Sequence, residues 1–262
     1  MTARVASGLV ALAGVIACSG AEPMPDSKTE IFAERSLTLN GRTWRYRVFA
    51  PERTDGRPPV ILSLHGYGER GDDNQKQIAV GLGPHVRAHA DSFPAVVVFP
   101  QAPADGYWTD ETARAAIAAL DAATAEFDGD PDRTYLTGLS RGGFGTWWIA
   151  RQEPQRFAAL VPICGGLTAP VLLSGRAIEP FASDDDPFAA TAQALRHIPT
   201  WIFHGSRDDV VPPEQSQRMA DALRDAGADV RYTEFPDANH NSWDPAYATP
   251  ELWPWLFAQR RR

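Results

Sequence analysis

The chain has 262 residues, of which 44% are hydrophobic and 22% charged, and its formal net charge at pH 7 is -8. This length and composition suit a globular protein that buries a core of its own. Nucleic-acid binding needs a basic face that neutralises phosphates, so the acidic balance argues against a nucleic-acid partner.

The first 17 residues have the composition of an export signal. Arg4 provides an early positive charge, and the apolar run from residue 5 to residue 17 has Ser7 as its one polar side chain. This run is too short to span a membrane but has the length of the apolar part of a signal peptide. We therefore expect residues 1–17 to be a signal peptide.

The residues that end this run suggest how the mature chain begins. The sequence VIAC resembles the lipobox of bacterial lipoproteins, and by that resemblance Cys18 would be the lipidated first residue of the mature protein. The alternative is plain secretion after cleavage behind Ala21. Residues 18–33 are expected to be a tether. The protein would then be exported, either anchored to a bacterial membrane only through the lipid on Cys18 or secreted.

The chain contains two cysteines, Cys18 and Cys164. If Cys18 carries a lipid or is removed, Cys164 has no partner and no disulfide framework can form. Cys164 lies in the apolar run LVPICGG and is expected to be a small buried side chain rather than a nucleophile or a metal ligand.

The rest of the chain alternates predicted strands with predicted helices. An opening hairpin turns at Asn40-Gly41. Buried strands are predicted in PPVILSL and AVVVFPQ, and further strands in RTYLTGL, FAALVPI, PTWIFHG and VRYTEF. Helices are predicted over residues 74–90 with an interruption near GLGP, over 112–127, from Arg141 onward, over 213–227 and over 249–259. This order predicts an α/β fold with a mostly parallel central sheet flanked by helices. Ligand sites in such sheets lie at the carboxyl ends of the strands.

One short motif lies where a predicted strand meets a predicted helix. Residues 138–142, GLSRG, match the G-x-S-x-G pattern of a nucleophile elbow, with Ser140 at the apex. The strand must turn into a helix within about one residue, so the positions two before and two after the serine have almost no room for side chains. The alternative is a helix-capping serine in a glycine-rich turn.

A nucleophilic serine needs a base and an orienting carboxylate, which in this arrangement follow it in the order acid, then histidine. Of the six histidines, His240 is the one that follows the last predicted strand, and we expect it to be the base. The segment SRDD after PTWIFHG offers Asp208 and Asp209. Asp208 is favoured as the carboxylate because HGSRDDVVP resembles the hydrolase pattern H-G-x-x-D-x-x-V-P. Two histidines that end predicted strands, His65 and His204, are expected to be structural.

Four segments together resemble the single-domain α/β-hydrolase esterases, in particular the phospholipase/carboxylesterase and dienelactone-hydrolase-like proteins: LHGYGERGDDN, YLTGLSRGGFGTW, FHGSRDDVVP and DANHNSWDPAY. The resemblance implies an α/β-hydrolase catalytic domain over residues 34–262. A large lid domain is not expected, because only about thirty residues, 165–195, separate the strand ending LVPIC from the approach to PTWIFHG. It also implies an oxyanion hole formed by the backbone N–H groups of Tyr67 and Arg141. Such chemistry needs no metal and no cofactor.

The expected activity is hydrolysis of a small carboxylic ester through an acyl-enzyme on Ser140. One alternative is a small-peptide serine peptidase of the prolyl-oligopeptidase type. Another is a non-catalytic surface binding protein, which would be marked by a missing triad residue. Trp108 and Trp243 follow predicted strands and are expected to line an aromatic substrate cleft. No protein partner is predicted.

Overall fold

The structure is a computed structural model and describes residues 30–168 and 185–261. The predicted signal peptide, Cys18 and residues 18–29 of the predicted tether lie outside the described residues. The compact unit begins at Ile31, three residues before the boundary expected from the sequence. The reason is that Phe32 is fully buried and packs edge-on against Phe49 and Phe99. Within the described residues, no helix has the length and apolar character needed to cross a membrane.

One eight-stranded sheet organises this unit. Its strands are β1 Ala33–Leu39, β2 Arg42–Phe49, β3 Val60–Leu64, β4 Val96–Pro100, β5 Thr134–Leu139, β6 Ala159–Ile163, β7 Thr200–Gly205 and β8 Val230–Phe235. The order across the sheet is β1-β2-β4-β3-β5-β6-β7-β8; β1 and β2 are antiparallel neighbours, β2 runs antiparallel to β4, and the strands from β4 to β8 are parallel. The predicted mostly parallel sheet is confirmed.

The opening hairpin turns where the sequence predicts. Asn40 and Gly41 both have positive φ angles, 52° and 77°. A two-residue turn with positive φ at both positions matches the twist of the flanking strands, and Asn-Gly adopts it at little cost.

Seven α-helices of the described chain cover the sheet: α1 Leu82–Ala88, α2 Asp110–Glu126, α3 Arg141–Gln152, α4 Pro187–Leu195, α5 Glu214–Asp225, α6 Trp243–Tyr247 and α7 Leu252–Ala258. Successive side chains of a strand point to opposite faces, so Val60 and Leu62 of β3 pack with Leu120 of α2, whereas Ile61 packs with Leu82 of α1. Helices α2 to α5 cover one face, and α1, α6 and α7 cover the other.

The segment predicted to be helical over residues 74–90 is interrupted near GLGP, as expected, but its α-helical part is shorter than expected. It begins only at Leu82, after Gly81 with φ 70°, and a single 3-10 turn at Lys76–Ile78 precedes it. A Cβ at Gly81 would lie 2.3 Å from Cδ2 of Leu139, so the chain bends here to pass close to the end of β5. The expectation that no large lid domain is present rests on the segment before α4, of which residues 169–184 lie outside the described part.

Candidate active site

Ser140 occupies the sharp turn between a strand and a helix. Strand β5 ends at Leu139 and α3 begins at Arg141, so one residue makes the whole change of direction. Ser140 has φ 52° and ψ -117°, a backbone conformation that is costly for a residue with a side chain. The turn leaves the Ser140 side chain at the carboxyl end of the parallel sheet.

The glycines around Ser140 are required by close backbone packing. A Cβ on Gly138 would lie 2.2 Å from the carbonyl oxygen of Gly142, and a Cβ on Gly142 would lie 2.0 Å from the carbonyl oxygen of Leu64 in β3. These separations are well inside van der Waals contact, and backbone atoms cannot move aside. The G-x-S-x-G spacing therefore marks a helix packed directly onto β5 and β3.

Three side chains from distant parts of the chain meet at this edge of the sheet. Nε2 of His240 lies 2.8 Å from Oγ of Ser140, and Nδ1 of His240 lies 2.8 Å from Oδ2 of Asp208. The carboxylate accepts from Nδ1–H, so Nε2 is left to accept the serine hydroxyl proton. The neighbouring Asp209, which the sequence left as an alternative, is exposed.

Asp208 is held by more than its contact with His240. Its Oδ1 accepts hydrogen bonds from the amides of Val210 and Val211, both at 2.9 Å, and its Oδ2 also accepts from Nε2 of the fully buried His204 at 3.1 Å. Burial by itself would raise the pKa of Asp208, but the hydrogen bonds from His204, His240 and the Val211 amide outweigh it and hold that pKa well below its usual range. The Asp208 side chain is therefore an ionised carboxylate that is held in one orientation.

The two predicted oxyanion donors lie in segments that adjoin Ser140. The N–H of Arg141 is the first in α3, and the helix has no preceding carbonyl to accept from it. A Cβ on Gly66 would lie 3.6 Å from Cβ of Ser140, so the loop after β3, which continues into Tyr67, passes beside the nucleophile.

A buried histidine fixes this loop. Nδ1 of His65 donates to the carbonyl of Gly66 at 2.7 Å, and Nε2 accepts from the amide of Ala102 at 3.0 Å. Burial lowers the pKa of His65 to about 4, so the ring is neutral at physiological pH and keeps the lone pair that Ala102 requires. The structural role expected for His65 is confirmed.

The two tryptophans expected to line a cleft have different positions. Trp108 is 2% exposed, and its Nε1 donates to the carbonyl of His65 at 2.9 Å. The prediction that Trp108 lines the substrate cleft is therefore wrong, because its indole packs into the core and supports the loop. Trp243 is half-buried with its ring perpendicular to that of His240 at a centroid distance of 5.6 Å, a position beside the candidate base.

Cys164 lies behind the three polar residues and is fully buried. Burial, followed by the negative charge of Asp208, raises the pKa of its thiol to about 12. One ligand atom each from Cys164, Asp208 and His240 lie within 4.8 Å of one another, and among the described residues this is the group that could hold a metal ion. A metal there would have to break the hydrogen bond between Asp208 and His240.

Two features of the site were not predicted from the sequence. The first is the bond from His204 to Asp208, for which the four-residue spacing in HGSRD was an available signal. The second is the side chain of Arg141, for which only the backbone N–H was considered. That side chain is 2% exposed, and its guanidinium lies between two tyrosine rings, those of Tyr67 and Tyr107.

Comparison with known proteins agrees with this geometry. The chain is 28% identical to a bifunctional acetylxylan esterase/xylanase of Neocallimastix patriciarum over 76% of its length, and 32% identical to an uncharacterized peptidase, YuxL, of Bacillus subtilis over 43% of its length. The crystal structure of a thermostable esterase superposes on 88% of the chain with a TM-score of 0.70 and 30% sequence identity. The fold is the α/β-hydrolase fold, as the resemblance implied.

In each of these proteins, the segment that matches the chain is only part of the full length. The chain spans 28% of the acetylxylan esterase/xylanase, 19% of the peptidase and 64% of the thermostable esterase. The model of the prolyl oligopeptidase family matches residues 102–170 and 182–254, which is more than half of the chain and includes Ser140, Asp208 and His240.

Proposed function

Because the chain belongs to the prolyl oligopeptidase family, we propose that it is a serine hydrolase that cleaves carboxylic esters through an acyl-enzyme on Ser140. The observation that carries the proposal is the unbroken series of hydrogen bonds from Ser140 through His240 to Asp208, with both contacts at 2.8 Å. This is the arrangement of a nucleophile, a general base and an orienting carboxylate.

The geometry supports a two-step mechanism. His240 takes the hydroxyl proton as Oγ of Ser140 attacks the ester carbonyl, and the imidazolium that forms is stabilised by the fixed carboxylate of Asp208. The oxyanion is bound by the N–H groups of Arg141 and Tyr67, aided by the positive end of α3. His240 then protonates the departing alcohol, and water attacks the acyl-enzyme by the same route.

The choice of ester over amide rests on the relatives. Both the acetylxylan esterase/xylanase and the thermostable esterase are named for ester cleavage. The second candidate is a small-peptide serine peptidase, which the family description and the Bacillus subtilis peptidase favour. A non-catalytic binding protein gains no support, because all three polar residues are present and in contact.

We expect the purified chain without residues 1–17 to hydrolyse p-nitrophenyl acetate and butyrate. A panel of acetyl-sugar esters, feruloyl esters and peptide p-nitroanilides then separates esterase from peptidase by their kcat/KM values. In parallel, a fluorophosphonate should add one adduct, and mass spectrometry should locate it on Ser140. Faster cleavage of the anilides than of the esters would favour the peptidase, and labelling at another residue would reject Ser140 as the nucleophile.

We further propose that the protein is exported and anchored by a lipid on Cys18. This proposal is supported by the apolar run and by the sequence VIAC. Mass spectrometry of the membrane fraction of an expressing bacterium should find Cys18 as an acylated N-terminal residue. An unmodified N-terminus at Glu22 in the soluble exported fraction would indicate plain secretion instead.

A further inference from the structure

Four side chains beside Ser140 form a stack of alternating cations and rings. The guanidinium of Arg141 lies 4.5 Å from the ring centre of Tyr67 and 4.1 Å from that of Tyr107, and the guanidinium of Arg70 lies 3.7 Å from the ring centre of Tyr67. The order is Arg70, Tyr67, Arg141, Tyr107. Cation–π contacts of this kind orient a planar guanidinium and cover its faces, but they leave its N–H groups without acceptors.

The charge of Arg141 is buried without a counterion among the residues that the structure describes. The residue is 2% exposed, and none of Nε, Nη1 and Nη2 has a hydrogen-bond partner among the described residues. Burial and the positive charge of Arg70 lower the pKa of Arg141, whereas the neighbouring Tyr107, through its charge and its hydroxyl, and then Tyr67 favour the charged form. The Tyr107 hydroxyl is not within ordinary hydrogen-bonding geometry of the guanidinium. Glu69, in the same loop, does not pair with it, because none of the three guanidinium nitrogens has a partner among the described residues, and Oε2 of Glu69 has none either. An uncompensated buried guanidinium is one of the most costly features a folded chain can carry.

The position of this charge connects it to the candidate reaction. Arg141 follows Ser140 directly, and Tyr67 belongs to the loop that passes beside the nucleophile. The chain as a whole carries a net charge of -8, whereas this stack holds two guanidiniums, those of Arg141 and Arg70. A planar cation with covered faces and free N–H edges matches a carboxylate, which accepts two parallel hydrogen bonds from a guanidinium.

Given the proposed esterase function, we propose that Arg141 is a carboxylate subsite and that the preferred ester substrates carry a free carboxylate. The N–H edges of Arg141 bind the carboxylate, and Arg70 adds a second positive charge. The guanidinium is closed off from solvent in the unliganded chain, so one of the two half-exposed tyrosine rings shifts when the carboxylate enters.

The test compares matched pairs of charged and neutral esters. Monomethyl succinate against methyl succinamate places the carboxylate in the acyl part, and 4-acetoxybenzoate against 4-acetoxybenzamide places it in the alcohol part. For at least one pair the wild-type protein should prefer the anion. The Arg141→Gln variant should lower the ratio of kcat/KM, charged over neutral, by about tenfold or more, the usual size of a charge-assisted hydrogen bond. Arg141→Lys should keep part of the preference.

A second arginine provides the control. Arg231 of β8 is exposed, and its guanidinium lies 4.9 Å from the ring centre of Trp201. Arg231→Gln therefore removes a cation–π contact without changing the stack beside Ser140. Its charged-to-neutral ratio should equal that of the wild type. An equal loss of both rates in Arg141→Gln, with the ratio unchanged, would show that Arg141 only supports the local fold and would overturn the proposal.

Binding gives a readout that does not depend on turnover. Isothermal titration calorimetry in an uncharged buffer should detect saturable binding of succinate to the wild type, no binding of succinamide, and loss of succinate binding in Arg141→Gln. Ester hydrolysis without succinate binding or anion preference would reject the subsite and leave the esterase function intact. Succinate binding that requires Arg141, in a protein that hydrolyses none of the esters, would reject the esterase function and support the subsite.

Discussion

Replacement of Ser140 by alanine should remove ester hydrolysis, with a fall in kcat on the order of 10⁵-fold or more, as in serine hydrolases that lose the nucleophile. The physical reason is that no other described hydroxyl contacts Nε2 of His240. What remains should be the slow attack of water in a site that still holds an oxyanion. The measurement is kcat for p-nitrophenyl butyrate hydrolysis by the wild type and by Ser140→Ala.

Folding must be shown to survive in this variant. Residue 140 has a positive φ, which is no harder for alanine than for serine, so the far-ultraviolet circular dichroism and the thermal midpoint should be close to those of the wild type. Ser92→Ala is a matched control, because Ser92 is exposed and its hydroxyl bonds only to a carbonyl of its own turn. Turnover by Ser140→Ala within tenfold of the wild-type rate would contradict an acyl-enzyme mechanism on Ser140.

Asp208→Asn should lower kcat by about 10³- to 10⁴-fold while leaving KM nearly unchanged, since removing the charge of this acid costs that much in related catalytic triads. The asparagine side chain cannot accept all the hydrogen bonds that the carboxylate of Asp208 accepts. If its oxygen accepts from the Val210 and Val211 amides, its NH₂ group faces the N–H groups of His204 and His240. His240 would then relieve this repulsion by placing its proton on Nε2, which makes it unable to accept the proton of Ser140.

Asp209→Asn is the natural control for this prediction. The residue is adjacent in sequence and carries the same charge, but it is exposed and does not contact His240. Its kcat should remain within about twofold of the wild type, because a surface substitution of this kind changes stability little and leaves the contacts of Asp208 and His240 in place. If Asp209→Asn is the more damaging of the two, the assignment of the carboxylate is wrong.

The sequence predicted those parts of the site that depend on backbone geometry and on chain order. Gly138 and Gly142 mark the elbow because close packing of backbones leaves no space for a Cβ. This constraint can be recognised in the sequence, since only glycine meets it. Asp208 and His240 follow β7 and β8, and the carboxyl ends of parallel strands share one edge of the sheet with the end of β5.

Features that depend on side chains from several loops were not predictable in this way. A tryptophan after a strand can face a cleft or the core, and Trp108 is buried because His65, more than forty residues earlier, offers its carbonyl to the indole. The burial of Arg141 needs Tyr67 from one loop and Tyr107 from another. No local pattern in the sequence records that these three side chains meet.

The three polar residues are far apart along the chain. Because they meet only when the strands are paired, catalytic activity depends on the integrity of the whole sheet. Ser140 is placed by β5, whereas Asp208 and His240 are placed by the last two strands of the same sheet. A molecule whose β7 and β8 have separated from β6 would keep its elbow and its nucleophile but would have neither base nor acid. Partly unfolded or truncated forms are thus expected to be inactive, because the proposed chemistry of Ser140 requires the assembled sheet.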